Sequence, residues 1–161
     1  MQNNLSIESI NYSNTKHRRV IKSCLEKWFS DPKDLHLTAP TIKYPFNFNN
    51  WIKTSYTKSI TRSYVLKDDG WIIGYMSLQF QPDNSYIHLF HVYIDREYRE
   101  KGYSSLLLKK AEAIAVKNKI PIITLFVNME NSKAIAIYER SGFKKVEKTK
   151  RNSYKMAKFI G

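Results

Sequence analysis

The stretch that decides the fold is Val92-Tyr-Ile-Asp-Arg-Glu-Tyr-Arg-Glu-Lys-Gly-Tyr-Ser-Ser-Leu106. Its first residues are β-branched and aromatic, and they end a strand near Ile94. A short polar loop follows, and a helix opens near Gly102. Within residues 102–118, Leu107, Leu108, Ala111, Ile114 and Ala115 fall at i, i+1, i+4, i+7 and i+8, the apolar stripe of a helix. The first amides of any helix lack an intrahelical acceptor. Here they face a loop holding Arg99, Lys101 and Gly102, so donors, a positive helix end and cations converge on one anion site. Gly102 removes a side chain where a ligand approaches the backbone, and a pyrophosphate fits such a loop. The segment is not a P-loop, since G-x-x-x-x-G-K-[ST] is absent. It is not a dinucleotide fingerprint, since G-x-G-x-x-G is absent.

Toward the C-terminus, residues 121–127 form a nearly continuous apolar run, typical of a strand buried on both faces. Next comes Asn131-Ser-Lys-Ala-Ile-Ala-Ile-Tyr-Glu-Arg-Ser-Gly-Phe143, an amphipathic helix with Asn131 as its cap and Gly142 as its stop. Asn131 and Tyr138 are seven residues apart and share a helix face. Residues 143–150 and 153–160 read as two more strands. Toward the N-terminus, residues 63–66, 71–80 and 86–94 are strands separated by Asp68-Asp69-Gly70 and Pro82-Asp83-Asn84, an antiparallel meander. Residues 5–10 alternate as a half-buried strand does. Residues 15–29 carry Val20, Ile21, Cys24, Leu25, Trp28 and Phe29 at helical spacing, with Pro32 as a stop. Residues 30–46, with Pro32, Pro40 and Pro45, read as irregular, and 47–59 as a second helix. The expected order is β-α-α-β-β-β-α-β-α-β-β. It predicts a mixed α/β (α+β) domain with a six- to seven-stranded sheet, one parallel pair and about four helices.

The 161 residues fit one domain spanning 1–161. A composition 42% hydrophobic and 14% aromatic excludes a disordered chain. The single cysteine, Cys24, excludes an internal disulfide framework and points to a reducing compartment. The opening residues lack the pattern of a signal peptide, and no apolar run approaches the roughly 20 residues of a membrane span, so a soluble cytoplasmic protein is expected. The 27 Lys+Arg against 14 Asp+Glu give a formal net charge of +13, a field that attracts anions or simply a solvated basic surface. The clusters Lys16-His17-Arg18-Arg19 and 144–151 lack the density of a dedicated nucleic-acid arm, so nucleic acid is a poor fit as the main partner.

The two motifs together, Arg99-x-x-Gly102-x-Ser104 and Asn131-x-x-Ala134-x-x-x-Tyr138-x-x-x-Gly142-Phe143, resemble the GNAT superfamily of N-acetyltransferases. The match covers residues 62–160; residues 1–61 agree in element order only. The resemblance implies a GNAT-like fold with a splayed parallel strand pair, acetyl-CoA as co-substrate and no metal. It implies that backbone groups at Val92, Tyr93 and Ile94 pair with the pantetheine arm like an added strand. Amides at Glu100, Lys101, Gly102, Tyr103, Ser104 and Ser105, with Arg99, would hold the pyrophosphate, and Asn131 would contact the pantetheine side. Ser104 stands where the family usually has a second Gly or Ala; it is small, and its hydroxyl can donate to a phosphate.

The family reaction is direct attack of a neutral amine on the thioester in a ternary complex. An alkyl amine has a pKa of about 10.4, so a base or water must take a proton. The thiolate, pKa about 8.5 by analogy with Cys, gains from an acid, and a neutral tyrosine can supply it. Tyr138 matches the family's tyrosine and is expected as general acid. Phe126 stands where ribosomal-protein N-terminal acetyltransferases carry a glutamate, so that base is absent. His88 lies near the glutamate of histone-type enzymes and is the first candidate base, directly or through water. An ordered water alone is an equal alternative. His91 faces the other side of a regular strand. The four histidines and Cys24 show no zinc spacing, and Cys24 reads as core.

In the family the N-terminal helices wall the acceptor site. Trp28, Phe29, Tyr44, Phe46, Phe48 and Trp51 therefore form either an aromatic acceptor pocket or the packing of those helices on the sheet. The net charge argues against a polycationic acceptor such as an aminoglycoside or polyamine, unless a local acidic pocket overrides it. A small amine and a protein amine both stay open, as does a homodimer. Two rival readings are a catalytically weak acyl-CoA-binding module and a nucleic-acid-binding protein.

Overall fold

Three strands in a meander form the first half of the sheet: β2 (Ile60–Asp68), β3 (Trp71–Phe80) and β4 (Ile87–Ile94). Asp69 and Gly70 make the two-residue turn between β2 and β3, both at positive φ (51° and 86°), the geometry whose twist suits a tight hairpin. The computed structural model describes residues 4–57 and 60–160. The expected second helix over 47–59 therefore ends, at residues 58 and 59, outside the described residues. Strand β1 (Leu5–Ile10) pairs antiparallel with β2. After β4, helix α4 (Tyr103–Lys117) crosses to β5 (Ile122–Asn128), which runs parallel to β4. Helix α5 (Ser132–Arg140) then leads to β6 (Lys144–Lys148) and β7 (Ser153–Phe159). Strand β7 inserts between β5 and β6, giving a seven-stranded sheet of order β1-β2-β3-β4-β5-β7-β6. The mixed fold and single parallel pair expected from the element order are present.

The helices divide between the two faces. Leu107, Leu108, Ala111, Ile114 and Ala115 of α4 are all buried, together with Ile135 of α5, against Leu66, Met76, Leu89, Ile123 and Leu125. The other face is covered by α1 (Thr15–Trp28), α2 (Pro32–Thr38) and α3 (Phe48–Ser55). Ile21, Leu25, Trp28, Phe29, Phe48 and Trp51 form this second cluster with Val65, Tyr75 and Tyr93 of the sheet. Val20, expected on the apolar stripe of α1, is instead exposed.

Helix α2 lies in the segment read as irregular. Pro32 stops nothing there: α1 already ends at Trp28, and Pro32 occupies the first turn of the next helix, where its missing N–H costs no bond. Asp31 caps that helix, accepting from the amides of Lys33 and Asp34 at 2.8 and 3.1 Å. Five α-helices result among the described residues, against about four expected. The cap that starts α3 is Asn47, whose side chain accepts from the Asn50 amide at 2.9 Å.

Two irregularities in β4 shape the centre of the sheet. The β4–β5 ladder runs only from the Ile87 and Ile123 pair to the Leu89 and Leu125 pair, and then the parallel strands separate. On the other side, Tyr75 pairs with Tyr93 but Ser77 with Phe90, so β4 holds one extra residue, a bulge with His91 at φ 54°.

Candidate functional site

The loop between β4 and α4 is fixed from beneath. Asp95, buried, accepts from the Glu97 amide at 3.0 Å and from the Trp28 indole at 3.0 Å, and its own amide bonds the Ile73 carbonyl. A 3-10 turn at Arg96–Tyr98 follows. The chain then passes through two left-handed residues, Glu100 (φ 63°) and Gly102 (φ 79°), before entering α4. Gly102 supplies no side-chain cap, and no acidic residue sits in the first turn of α4. A Cβ at Gly102 would meet nothing within 4 Å, so the approach to the helix end is open. The helix start is thus an uncapped set of donors of the kind that binds anions.

Arg99 points away from that opening. Its Nε donates to the Ile94 carbonyl at 2.9 Å and its Nη2 to Asp34 at 3.1 Å, while the guanidinium lies 5.1 Å from the Tyr93 ring centre. Asp34 also accepts from the Tyr93 hydroxyl at 2.7 Å and lies 3.2 Å from Arg96, which bonds Asp31 at 2.7 Å. Burial, and then the bond to Asp34, push the Tyr93 hydroxyl pKa well up. Two arginines of the loop therefore staple it to α2, and Asp34 is the centre of the staple. Nothing in the sequence singled out Asp34, since its partners are 59 and more residues away. Lys101 is exposed, and Glu100 pairs with Lys133 of α5 at 3.1 Å across the mouth of the loop.

Beyond Leu89 the edge of β4 carrying Val92, Tyr93 and Ile94 has β3 on one side and, among the described residues, no strand on the other. The gap is a narrow cavity of about 80 Å³. Phe90, His91 and Val92 line it from β4, Phe126 from β5, and Asn131 and Tyr138 from α5. The slot passes through the sheet: Tyr138 packs on the α4 and α5 side, whereas Phe90 and His91 meet Tyr56 and Trp51 on the other. Asn131 caps α5, accepting from the Ala134 amide at 3.3 Å. Tyr138, two turns on, lies edge-on to Phe143 with centres 5.9 Å apart. Its hydroxyl has no partner among the described residues, and burial pushes its pKa up to about 12. It is a neutral proton donor at pH 7.

The two β4 histidines differ from expectation. His91 does not face the far side of a regular strand, because the bulge rotates it onto the same side as His88 and into the slot. Its ring stacks on Trp51 at 4.1 Å and its Nδ1 bonds the Tyr56 hydroxyl at 2.8 Å. Tyr56 continues to the Tyr75 hydroxyl at 2.7 Å, and that to Tyr12 at 2.7 Å. Burial lowers the His91 pKa to about 3. His88 sits one step back, where β4 and β5 still pair, and its Nδ1 bonds Thr124 at 2.8 Å. Burial first, and then Lys155, lower its pKa to about 4. Both imidazoles are neutral at pH 7. Tyr56, at the end of α3, carried no sequence signal beyond being one of many aromatics.

Five of the six aromatics of the N-terminal part pack rather than line a pocket. Trp28, Phe29, Phe48 and Trp51 are buried, Phe46 lies tilted against Phe29 and edge-on to Trp51, and Tyr44 is exposed. Among the described residues, no three His, Cys, Asp or Glu side chains group as a metal site, and no helix is long and apolar enough to cross a membrane.

The arrangement has known counterparts. Over 62 residues, 38% of this chain, the sequence is 34% identical to an uncharacterized N-acetyltransferase of Methanocaldococcus jannaschii; the match spans only 27% of that curated relative. The spermidine N-acetyltransferase of Vibrio cholerae, solved with CoA and spermine, superposes with a TM-score of 0.75 at 17% identity, covering 97% of this chain and 95% of that one. The PaiA N-acetyltransferase of Thermoplasma acidophilum, solved with coenzyme A, gives 0.69 at 23% identity, covering 96% and 98%. The ribosomal-protein-S18-alanine N-acetyltransferase of Escherichia coli gives 0.71 at 19%, covering 98% and 94%. At these identities the superpositions speak for the fold alone. The sequence profile described as the Acetyltransferase (GNAT) family matches residues 22–143, and it is that match, joined to the splayed strands and the uncapped α4, that makes this chain a member of the GNAT acetyltransferase family.

Proposed function

We propose that the chain transfers an acetyl group from acetyl-CoA to the primary amine of an acceptor, in one step within a ternary complex. The observation that carries the reading is the unpartnered hydroxyl of Tyr138 in a slot bordered by an unpaired β4 edge. The diphosphate would lie against the amides of Glu100, Lys101, Gly102, Tyr103, Ser104 and Ser105. Arg99 would act there by its charge and by fixing the loop, since its donors are engaged with Ile94 and Asp34. The pantetheine arm would add to β4 at Val92, Tyr93 and Ile94, with Asn131 beside it. The amine nitrogen bonds the acyl carbon, the C–S bond breaks, the departing sulfur takes the Tyr138 proton, and Tyr138 regains a proton from water. The proton released by the amine leaves through water, with His91 lining the slot and His88 one step back on β4 as the neighbouring imidazoles.

Replacing Tyr138 by Phe should lower turnover by about 10²- to 10⁴-fold, the usual worth of a positioned acid, with coenzyme A affinity unchanged. Unchanged turnover in that variant would remove Tyr138 from the chemistry. A second reading, an acyl-CoA-binding module with weak catalysis, is favoured by one observation: both imidazoles near the slot are poor bases. Thiol release from acetyl-CoA across a broad amine panel separates the two, because the module binds coenzyme A yet releases no thiol.

A further inference from the structure

The slot, walled on one side by Leu37 and Thr38 of α2, adjoins the surface of the sheet around the exposed Phe126. The floor there is aromatic. The His88 and Phe126 rings are 4.9 Å apart, His88 and Phe90 stack at 6.4 Å, and Phe90 lies 5.8 Å from Tyr56. Phe126 is 56% exposed on a strand whose Leu125 and Val127 neighbours are buried. Phe90 and Phe126 belong both to the slot and to this floor, so a molecule resting on the rings adjoins the cavity that Tyr138 lines.

The electrostatics of the floor are as informative as its shape. Among the described residues, no carboxylate lines the slot. Both histidines beside it are neutral at pH 7. The cation next to it is Lys155, directly opposite Phe126 in the β5–β7 ladder and close enough to repel a proton from His88. The acid in that ladder row is Glu147 of β6, exposed, on the far side of Lys155 and not in ion-pair contact with it. A second ammonium group on an acceptor would therefore lose hydration against phenyl rings and face Lys155, with no carboxylate in the slot itself to offset either cost. A cation–π contact with an exposed phenyl ring is too weak to compensate. An aromatic or branched apolar group gains the full contact.

We propose that the acceptor is a monoamine borne on an aromatic or branched apolar group, which lies on Phe126 and Phe90 while polyamines are rejected. This assignment rests on the transferase reading above and narrows it to a substrate class. The test uses the full chain saturated with coenzyme A, the saturation being measured first by calorimetry. N-acetylphenethylamine and N1-acetylspermidine, the products of the two acceptor classes, are then titrated in turn. The aromatic product should bind at least about tenfold more tightly, and Phe126→Ala should erase about tenfold of its affinity, the usual worth of a lost ring contact. Phe126→Glu should reverse the order of the two products by supplying the missing carboxylate. Equal binding, tighter binding of the spermidine product, binding of neither, or a Phe126→Ala variant indistinguishable from the parent each overturns the assignment. Failure to saturate with coenzyme A at the first step overturns the transferase reading instead, so the two failures are told apart. Each variant's coenzyme A saturation also reports that it is folded.

Discussion

Tyr138 keeps its proton because ionising it inside the slot would strand a phenolate among apolar walls. Burial raises its pKa to about 12, so it stays a donor throughout the pH range in which the protein is handled. The alkaline side of a kcat profile should then show no loss assignable to this group below about pH 10, while the same profile for Tyr138→Phe is low everywhere. The histidines give the opposite lesson. His91 and His88 are buried neutral, with folded pKa values of about 3 and about 4, whereas an unfolded imidazole titrates near 6.5. Between those values the unfolded chain binds more protons than the native one, so stability must rise with pH. Their contribution is complete above about pH 6.5 and is lost progressively as pH falls toward 4, by at most about 1.4 kcal/mol per pH unit for each group. Urea midpoints measured from pH 7.5 to pH 5 should fall accordingly, and His91→Gln should flatten the slope. A midpoint independent of pH over that interval would mean that His91 is solvated. Neither His91's position in the slot nor its pKa was legible in the sequence. A bulge depends on how β3 and β4 pair, and pairing across a sheet is not a property of local residue spacing. Tyr138 and Asn131, by contrast, were legible, because seven residues on one helix fix a shared face without reference to any other element.

At the scale of elements, the loop that opens α4 owes its shape to α2. Asp34 receives Tyr93, Arg99 and Arg96; it is buried together with Tyr93 and is the buried partner of both arginines. Removing it by Asp34→Ala leaves the Tyr93 hydroxyl without its acceptor, at a cost of about 2 kcal/mol, while the more exposed arginines rehydrate. The larger consequence is a freed loop. Coenzyme A should bind Asp34→Ala more weakly at a temperature well below its melting point, although Asp34 is a negative residue whose loss would otherwise favour an anion. Tighter binding would show that the charge matters more than the staple. Gly102 tests the same element from the other end. Its φ of 79° penalises any side chain by about 1–2 kcal/mol, and the open space around it means that the whole cost of Gly102→Ala is conformational. Helices α4 and α5 and the meander were legible because their signals are local: a stripe of apolar residues, an asparagine cap, Asp69-Gly70 at a hairpin. Helix α2 was not, since a proline read as an end is equally a beginning, and only the Asp31 cap distinguishes the two. The splay of β4 from β5 was implied by family resemblance alone, and its onset after three pairs was not legible. An apolar run specifies a buried strand but not where its partner departs.

The whole molecule carries a net charge of +13, and its exposed cations include Lys144, Lys145, Lys148 and Lys150 at the β6 end of the sheet. On an edge strand such charges discourage pairing with another chain. They also add to a field that draws a phosphorylated ligand toward the protein before any contact forms. The Debye length is about 8 Å at 0.15 M salt, so cations outside the binding loop act on the encounter and hardly on the bound state. Association of coenzyme A should therefore slow several-fold between about 50 and 200 mM salt, with dissociation changing much less. Changing these four lysines at the β6 end of the sheet to Gln should lower the low-salt association rate alone. Lys101→Gln, inside the loop, should in addition speed dissociation, because that cation lies where the diphosphate is proposed to rest. Stopped-flow measurement of both rates for both variants decides the matter. If the four distant substitutions speed dissociation as much as Lys101→Gln does, the diphosphate is not held at the α4 opening, and the basic surface is itself the binding site.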